Sequence, residues 1–492
     1  MKLLMSARVS IEGVGLVALV AVTVFVDACG GYGSAAPPGA GGSSGSLDAA
    51  VDVTAGPTLD ATATPDFQLR AEFTGPCALS PGEIDVNLGN SPEAFVRAAY
   101  CQINGSEPPA DTVTSWAGQL RTVGYVRRVD VVRTLCTAAK RGCALTYSDP
   151  WQADLPLSPT CARKTTRDLG AVLMFFSACP NGVNCGMDWA NTHASGMNAA
   201  APLLAFGTSP VNYYNPRNAG FWYRELNDAA WAGLQFFLIN TYGPDLQGTP
   251  DQLAMLGQAL AKAGPAVKVA LFDDPSAWGQ ASSPPPFNAR PDLSDTEAAA
   301  QAIYTAKWKP FYSRIDRQYW YQFQSRPFIY FYNAGTLNPL NASAAVVTRL
   351  KQLFAADFGV TPFVAVETAY FQDPAMPTVA DSQFTWNTLA SGTMSHSTLG
   401  GVTLDHFMVK WDPLGRDKPG AIATSADGIL KGTDLLTTRL SDSQDASVAV
   451  IATWNDLGEG TGIERNYDYY IGGAWSPPTA FMGVTRAAQC AE

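Results

Sequence analysis

Charge is scarce in this sequence. Only 15% of its 492 residues are Asp, Glu, Lys or Arg, and acidic residues outnumber basic ones to leave a net charge of −11. No run of Lys or Arg occurs, so the electrostatic footprint that a phosphate backbone requires is missing and nucleic acid is excluded as a partner. The same acidity disfavours adsorption to an anionic membrane surface. Histidine is rarer still, with His193, His396 and His406 the full complement. With no CxxC pair and no Cys/His cluster at zinc-ligand spacing, neither a metal nor another cofactor is expected. The uncharged stretch at residues 14–26 is too short to span a bilayer comfortably. No internal repeat is visible, and no Ser/His/Asp order stands out.

What is present begins at the N-terminus. Lys2 and Arg8 precede the uncharged stretch, and Asp27, Ala28 and Cys29 follow it, the layout of a signal peptide over residues 1–28. Val26-Asp27-Ala28-Cys29, with Gly30 and Gly31 next, resembles the lipobox of bacterial lipoproteins, although Asp27 stands where a small neutral residue is usual. The resemblance implies an exported chain joined to the cell-envelope membrane through a lipid on Cys29, ordinary secretion being the alternative. Setting Cys29 aside leaves eight cysteines, an even number that suits structural disulfides outside the cytoplasm. Cys136 with Cys143, or Cys179 with Cys185, would close short loops, but spacing does not fix the pairing.

Residues 29–66 are Gly, Ser, Pro, Ala and Thr with hardly any large apolar side chains, too little to offset the entropy of ordering, so a disordered linker is expected. Residues 67–162 read as a small helical domain. Phe95, Val96, Ala99 and Tyr100, then Trp116, Leu120, Val131, Val132 and Leu135, recur at three and four residues. Phe95-Val96, Tyr100, Gly105, Pro108 and Trp116 resemble the core of domain-of-unknown-function family 4214 over about residues 91–140. These are packing positions, so the resemblance implies an accessory module without chemistry.

Residues 163–492 alternate β-rich apolar runs with helical stretches, the pattern of βα units. Strands are predicted at 171–178, 235–241, 267–272, 328–332, 363–366, 383–386, 407–410 and 448–453, with helices at 251–263 and 343–356 between them. The fold class is therefore α/β, a (β/α)8 TIM-type barrel preceded by the helical domain and the linker. Active sites of such barrels form where the loops after the strands converge. Those positions carry Asp188, Trp189 and His193; Asn240 and Tyr242; Asp273 and Asp274; Tyr332 and Asn333; Glu367; Trp386; Trp411 and Asp412; and Asn455, Asp456 and Glu459. Carboxylates, amides and flat rings are what sugar chemistry uses, for proton transfer, hydroxyl recognition and stacking on apolar sugar faces.

The sharpest motif follows the last strand. Thr453-Trp454-Asn455-Asp456-Leu457-Gly458-Glu459-Gly460-Thr461-Gly462-Ile463-Glu464 resembles the N-E-W-x-E-G-T-x-I-E signature of glycoside hydrolase families 99 and 71. The resemblance implies Glu459 as general acid/base and Asp456 as the acid assisting the sugar 2-hydroxyl, in a retaining, endo-acting enzyme. Asp456 is one methylene shorter than the family Glu, and Leu457 replaces its aromatic residue. A broader resemblance, to domain-of-unknown-function family 5010, rests on several separate stretches. These are Gly220-Phe221-Trp222 with Glu225 and Asp228, Phe272-Asp273-Asp274, Tyr332-Asn333-Ala334-Gly335, Phe358-Gly359-Val360-Thr361-Pro362, and Trp454-Asn455-Asp456.

The expected function is hydrolysis of a polysaccharide or oligosaccharide by a monomer. Glu459 and Asp456 are the expected catalytic pair, and Asp273, Asp274, Glu367, Tyr332, Asn333, Trp189, His193, Trp411 and Asn455 the expected sugar-binding set. Two alternatives stay open: a glycan-binding surface lipoprotein on a degenerate barrel, and a metal-dependent hydrolase built on Asp273, Asp274 and His193.

Overall fold

The computed structural model describes residues 75–85, 88–121, 128–146, 161–174, 219–241, 250–264, 266–274, 295–332, 343–386, 389, 393–409, 427–455, 462–464, 470–471, 474–475 and 479–491. The segments expected to be signal peptide and linker, Cys29 included, lie outside them.

The chain first forms β1 (Glu83–Asp85), α1 (Pro92–Asn104), α2 (Ala110–Arg121), α3 (Arg128–Ala138) and β2 (Ala144–Thr146), with β1 and β2 paired in parallel. Local chemistry sets the limits of α1. The Ser91 hydroxyl accepts from the Ala94 amide, Pro92 occupies the first turn, and Gly105 takes the left-handed conformation that ends the helix (φ 69°). Phe95, Val96, Ala99, Leu120, Val131, Val132 and Leu135 form the buried core that their spacing predicts, with Tyr100 and Trp116 packed on its edge. Its last member comes from far along the chain: Trp475 meets Phe95 edge-on and lies under the Arg128 guanidinium, 4.2 Å from the ring centre. Cys77–Cys101 and Cys136–Cys143 staple this layer.

A third disulfide, Cys161–Cys490, brackets the rest. Beside it β3 (Ala162–Arg163) pairs antiparallel with β16 (Cys490–Ala491). Between them run β4 (Asp168–Met174), α4 (Ala219–Ala232), β5 (Phe236–Asn240), α5 (Pro250–Ala263), β6 (Lys268–Asp273), α6 (Thr296–Ile303), a π-helical turn Tyr304–Trp308 and α7 (Lys309–Arg314). Next come β7 (Gln322–Phe323), β8 (Arg326–Phe331), α8 (Ala344–Phe358), β9 (Phe363–Glu367), α9 (Met376–Val379), β10 (Ser382–Phe384), β11 (Ser395–Leu399) and β12 (Val402–Phe407). The chain finishes with α10 (Asp427–Asp442), β13 (Val448–Ile451), the pair β14 (Tyr470–Ile471) and β15 (Ala474–Trp475), and α11 (Ala480–Gln489).

The strand order β10-β9-β8-β6-β5-β4-β13-β12 is cyclic in sequence, and every neighbouring pair in it is parallel. That is a (β/α)8 barrel. Short β7 adds an antiparallel pair on β8, and the parallel pattern breaks at the seam between β10 and β12. There β11 runs antiparallel to β12, and the Thr385 amide donates to the Ser395 hydroxyl at 3.0 Å to bring in β10. All eight predicted strands overlap observed ones. The seventh starts earlier than its apolar residues suggest, at Val402, and β11 was not foreseen.

Alternation along the strands splits the core in two. Val172, Leu238, Ala270, Tyr330, Ala365, Leu404 and Val450 point into the barrel. Their neighbours Leu173, Ile239, Leu271, Ile329, Val366 and Ile451 point outward to the helices, against Trp222, Leu256, Trp308, Leu350 and Leu440. No helix among the described residues is long and apolar enough to cross a membrane.

Candidate functional site

Extending the inward alternation one step beyond each strand gives the residues of the barrel mouth. On β5 it reaches Asn240, beyond β6 Asp274, beyond β8 Tyr332, at the end of β9 Glu367, and beyond β10 Trp386. All but Trp386 are buried, and Trp386 packs partly exposed against the inner core. The structure therefore gathers Asp274, Tyr332 and Glu367 of the expected sugar-binding set at one end of the barrel. Asp456, Glu459, Trp189, His193, Asn333 and Trp411 lie outside the described residues, as do Cys179 and Cys185.

Glu367 has the most unusual setting. Its residue is 1% exposed; Oε1 accepts from the Trp386 amide at 3.3 Å, and Oε2 has no hydrogen-bond partner among the described residues. Burial pushes its carboxyl up to about 7, against the partial relief given by the amides of Trp386, Thr368 and Ala369. Trp386, whose amide hydrogen bond it accepts, lies 5.4 Å from Phe272, 5.5 Å from Tyr332 and 5.1 Å from His406, centre to centre. Tyr330 stacks on Phe384 at 4.0 Å. The His406 imidazole is fully buried on β12, its two nitrogens lack partners among the described residues, and burial alone drives its pKa down to about 3. It is a neutral ring at any physiological pH. Across the mouth, Asn240 donates from Nδ2 to Asp274 Oδ2 at 3.2 Å, and Asn240 Oδ1 is buried with no partner among the described residues.

Asp273 and Asp274 are separated by the strand's own alternation. Asp273 turns outward, where Lys307 Nζ lies 3.0 Å from its Oδ1 and the Trp308 indole N–H donates to its Oδ2 at 2.8 Å. Lys307 is completely buried and also donates to the main-chain carbonyls of Thr241 and Asp274. It belongs to the π-helical turn, and it ties together the ends of β5 and β6 from behind. Asp274 is thus held facing the barrel by a cation on the other side of the strand. Among the described residues, the one Cys/His/Asp/Glu group at metal-binding spacing is Cys77, Cys101 and Glu107, and those cysteines are joined to each other.

Asn455 does not turn a free amide to the mouth. Its Oδ1 accepts from the Met174 amide at 2.6 Å and its Nδ2 donates to the Met174 carbonyl at 2.8 Å, pinning the segment after β13 to the end of β4. Trp454 donates from its amide to the Val172 carbonyl and from its indole to Glu225 Oε2, both at 2.6 Å, while Arg224 holds Glu225 Oε1 at 2.8 Å. The amides of Ile463 and Glu464 close back on the Trp454 carbonyl. The Trp-Asn pair is the rigid base from which the Asp456–Glu459 segment leaves, and Glu225, noted in the sequence without a role, is its support.

His406, Tyr330 and Lys307 were not among the sequence candidates. His406 was missed because the seventh strand was placed too late to show it as inward. Lys307 sits in an ordinary-looking amphipathic stretch, where nothing marks a lysine that a π turn rotates into the core.

The family model described as "Domain of unknown function (DUF5010)" matches residues 180–487. No curated protein matches the chain. Among solved structures, a GH99 endo-alpha-mannosidase from Bacteroides thetaiotaomicron is 13% identical, covering 65% of this chain and 95% of its own, with a TM-score of 0.41. A glycoside hydrolase-like protein is 12% identical over 67% of this chain and 96% of its own, with a TM-score of 0.42. A GH128 endo-beta-1,3-glucanase from Amycolatopsis mediterranei, in complex with laminaripentaose, is 13% identical over 53% of this chain and 93% of its own, with a TM-score of 0.23.

Proposed function

The chain belongs to the DUF5010 family, and from its barrel mouth we propose that it is an exported glycoside hydrolase acting on a polysaccharide or oligosaccharide. The observation that carries this reading is Glu367: a carboxyl at the C-terminal end of a barrel strand, buried against the main chain of Trp386 and with its pKa raised to about 7. A glycosidic oxygen leaves only when protonated, and the positive centre left behind needs a carboxylate. A site that separates the protonation states of its acids suits this bond cleavage.

In the full reading Glu459 is the general acid/base and Asp456 the acid beside the sugar 2-hydroxyl, both on the segment that leaves the Trp454-Asn455 base. Asp274, Glu367, Tyr332 and Trp386 hold the sugar, joined by Trp189, His193, Asn333 and Trp411 from the loops. Asp273 and Asn455 support the site from behind it, each committed to contacts within the fold. The reaction retains anomeric configuration, cleaves within the chain, and is carried out by a monomer tethered through lipid on Cys29 and the residue 29–66 linker. The three disulfides accord with an oxidising compartment outside the cytoplasm. Because Asp273 is taken up by Lys307, a metal centre on Asp273, Asp274 and His193 is disfavoured. The shorter acid at Asp456 favours one rival, a glycan-binding protein that has lost catalysis.

One experiment separates the two. Reducing-sugar release is measured on α-mannans, α-glucans and mixed plant and microbial polysaccharides, with the wild-type protein beside Glu459→Gln. Release that disappears in the variant supports the hydrolase; binding by both forms with no release from any substrate replaces it with the glycan-binding reading.

A further inference from the structure

Glu367 and Trp386 meet beside the seam of the barrel. β9 and β10 pair in register only as far as Glu367 and Phe384, so Thr385 and Trp386 are placed by bonds outside the ladder. Successive amides of an extended segment point to opposite sides. The Thr385 amide donates across the seam to the Ser395 hydroxyl on β11 at 3.0 Å, and the Trp386 amide donates back toward β9, to Glu367 Oε1 at 3.3 Å. From the β9 side the Thr368 hydroxyl donates to the Phe384 carbonyl at 2.8 Å and lies 2.6 Å from the Thr385 hydroxyl. Ser395 is buried and sits opposite His406 in the β11–β12 register, and the His406 ring packs 5.1 Å from that of Trp386. The hairpin thus holds this short stretch twice, at the Thr385 backbone through Ser395 and at the Trp386 ring through His406.

We propose that Ser395 is a positioning residue for Glu367: by holding the Thr385 amide it aims the Trp386 amide, and through that bond it orients the carboxyl at the barrel mouth. The consequence for hydrolysis rests on the glycosidase reading above; the linkage from Ser395 to Glu367 does not. An amide donated to a carboxylate favours its charged form, and at Glu367 the Trp386 amide leads the three that work against burial. Without the Ser395 hydroxyl, the Thr385 amide needs another partner. The segment then turns, the Trp386 amide leaves Glu367, and the carboxyl keeps its proton to higher pH. A hydrogen bond to a charged group is worth about tenfold in an ionisation constant, so the midpoint should rise about one pH unit above its wild-type position.

The groups around Glu367 leave that signal clear. Tyr330 from β8 and Tyr370 from the turn after β9 feel its charge; Tyr330 also feels Asp405, and Tyr370 feels Asp273 and Asp274. Burial holds both phenols protonated far above neutrality, and it drives the His406 imidazole on β12 down to about 3.

The test titrates Glu367 in the full chain by difference infrared spectroscopy of its protonated carboxyl band from pH 5 to pH 10, with Glu367→Gln identifying the band. Ser395→Ala, Ser395→Cys and Ser395→Thr are compared with wild type. Thr398→Val serves as control, because it removes the hydroxyl that lies 3.0 Å from Thr403 on the exposed face of the same hairpin. Reducing-sugar release is scored in parallel. The wild-type midpoint is expected at about 7, Ser395→Ala about one pH unit higher, and Ser395→Thr and Thr398→Val close to wild type. Ser395→Cys, whose thiol is a weaker acceptor, should rise less in the same direction, and it carries the test if Ser395→Ala does not fold. A wild-type midpoint in the Ala variant, or in the Cys variant where that one stands in, overturns the positioning role. So does a rise in Thr398→Val equal to that in Ser395→Ala, which would assign the effect to a loosened hairpin. A midpoint that moves as expected, with no sugar released from any substrate even by wild type, upholds the role of Ser395 and removes the hydrolase.

Discussion

Replacing Lys307 with Met tests whether the cation behind β6 is part of the barrel's framework. Its ammonium is fully buried, lies 3.0 Å from Asp273 Oδ1, and satisfies the carbonyls of Thr241 and Asp274. Lys307→Met strands a buried carboxylate whose remaining described hydrogen bond is the one from the Trp308 indole. Removing one member of a buried pair costs about 3–5 kcal/mol, because the other charge stays desolvated without compensation. In Lys307→Met/Asp273→Asn that charge is gone and the Asn oxygen still accepts from Trp308, so the double variant is expected to be the more stable of the two. Urea unfolding followed by circular dichroism reads this as a fall in midpoint at constant slope. A loss below about 1 kcal/mol in the single variant, against the 3–5 expected, would refute the reasoning. A double variant no more stable than the single one would assign the cost to lost packing instead of the isolated charge.

Glu367 makes stability depend on pH. Its folded pKa is raised, so the folded chain holds a proton that the unfolded chain releases from about 4.5 upward; stability is full below that and declines until pH passes about 7. The loss is at most about 3 kcal/mol, and Glu367→Gln is expected to flatten that slope in melts taken from pH 4 to 9. Gly170→Ala would bring a Cβ to 2.3 Å from the Phe236 ring, which cannot swing aside because it stacks on Tyr321 at 3.8 Å. Overpacking of about 1–3 kcal/mol is expected, seen as a lower urea midpoint with unchanged far-ultraviolet signal. Cys161→Ser/Cys490→Ser opens a closure of 329 residues and should cost about 2–5 kcal/mol. Added reductant should then shift the melting of the variant less than that of the wild type.

The barrel was legible because its strands are short apolar runs whose whole length is buried, as at Phe236–Asn240 and Phe363–Glu367. It was least legible at the seam. Ser395–Leu399 alternates polar and small residues without an apolar run, and Val402–Phe407 buries Asp405 and His406 where a sequence reading expects solvent. In the site, Glu367 stood out as a lone carboxylate ending an apolar strand. What sequence could not convey was which of two adjacent acids faces inward: register sends Asp274 to the mouth and Asp273 to Lys307. Nor could it show that the signature's Trp454 rests on a glutamate from α4. Both depend on contacts between segments far apart in sequence, the second spanning from Glu225 to Trp454.

Trp475 gives the helical layer a place in time as well as in space. During synthesis α1, α2 and α3 emerge early, yet the ring that fills their core and covers Phe95 and Arg128 belongs to a segment completed almost last. The N-terminal layer therefore has its complete core only once residue 475 is present. A truncation before residue 475 would leave α1, α2 and α3 without the ring that completes their core.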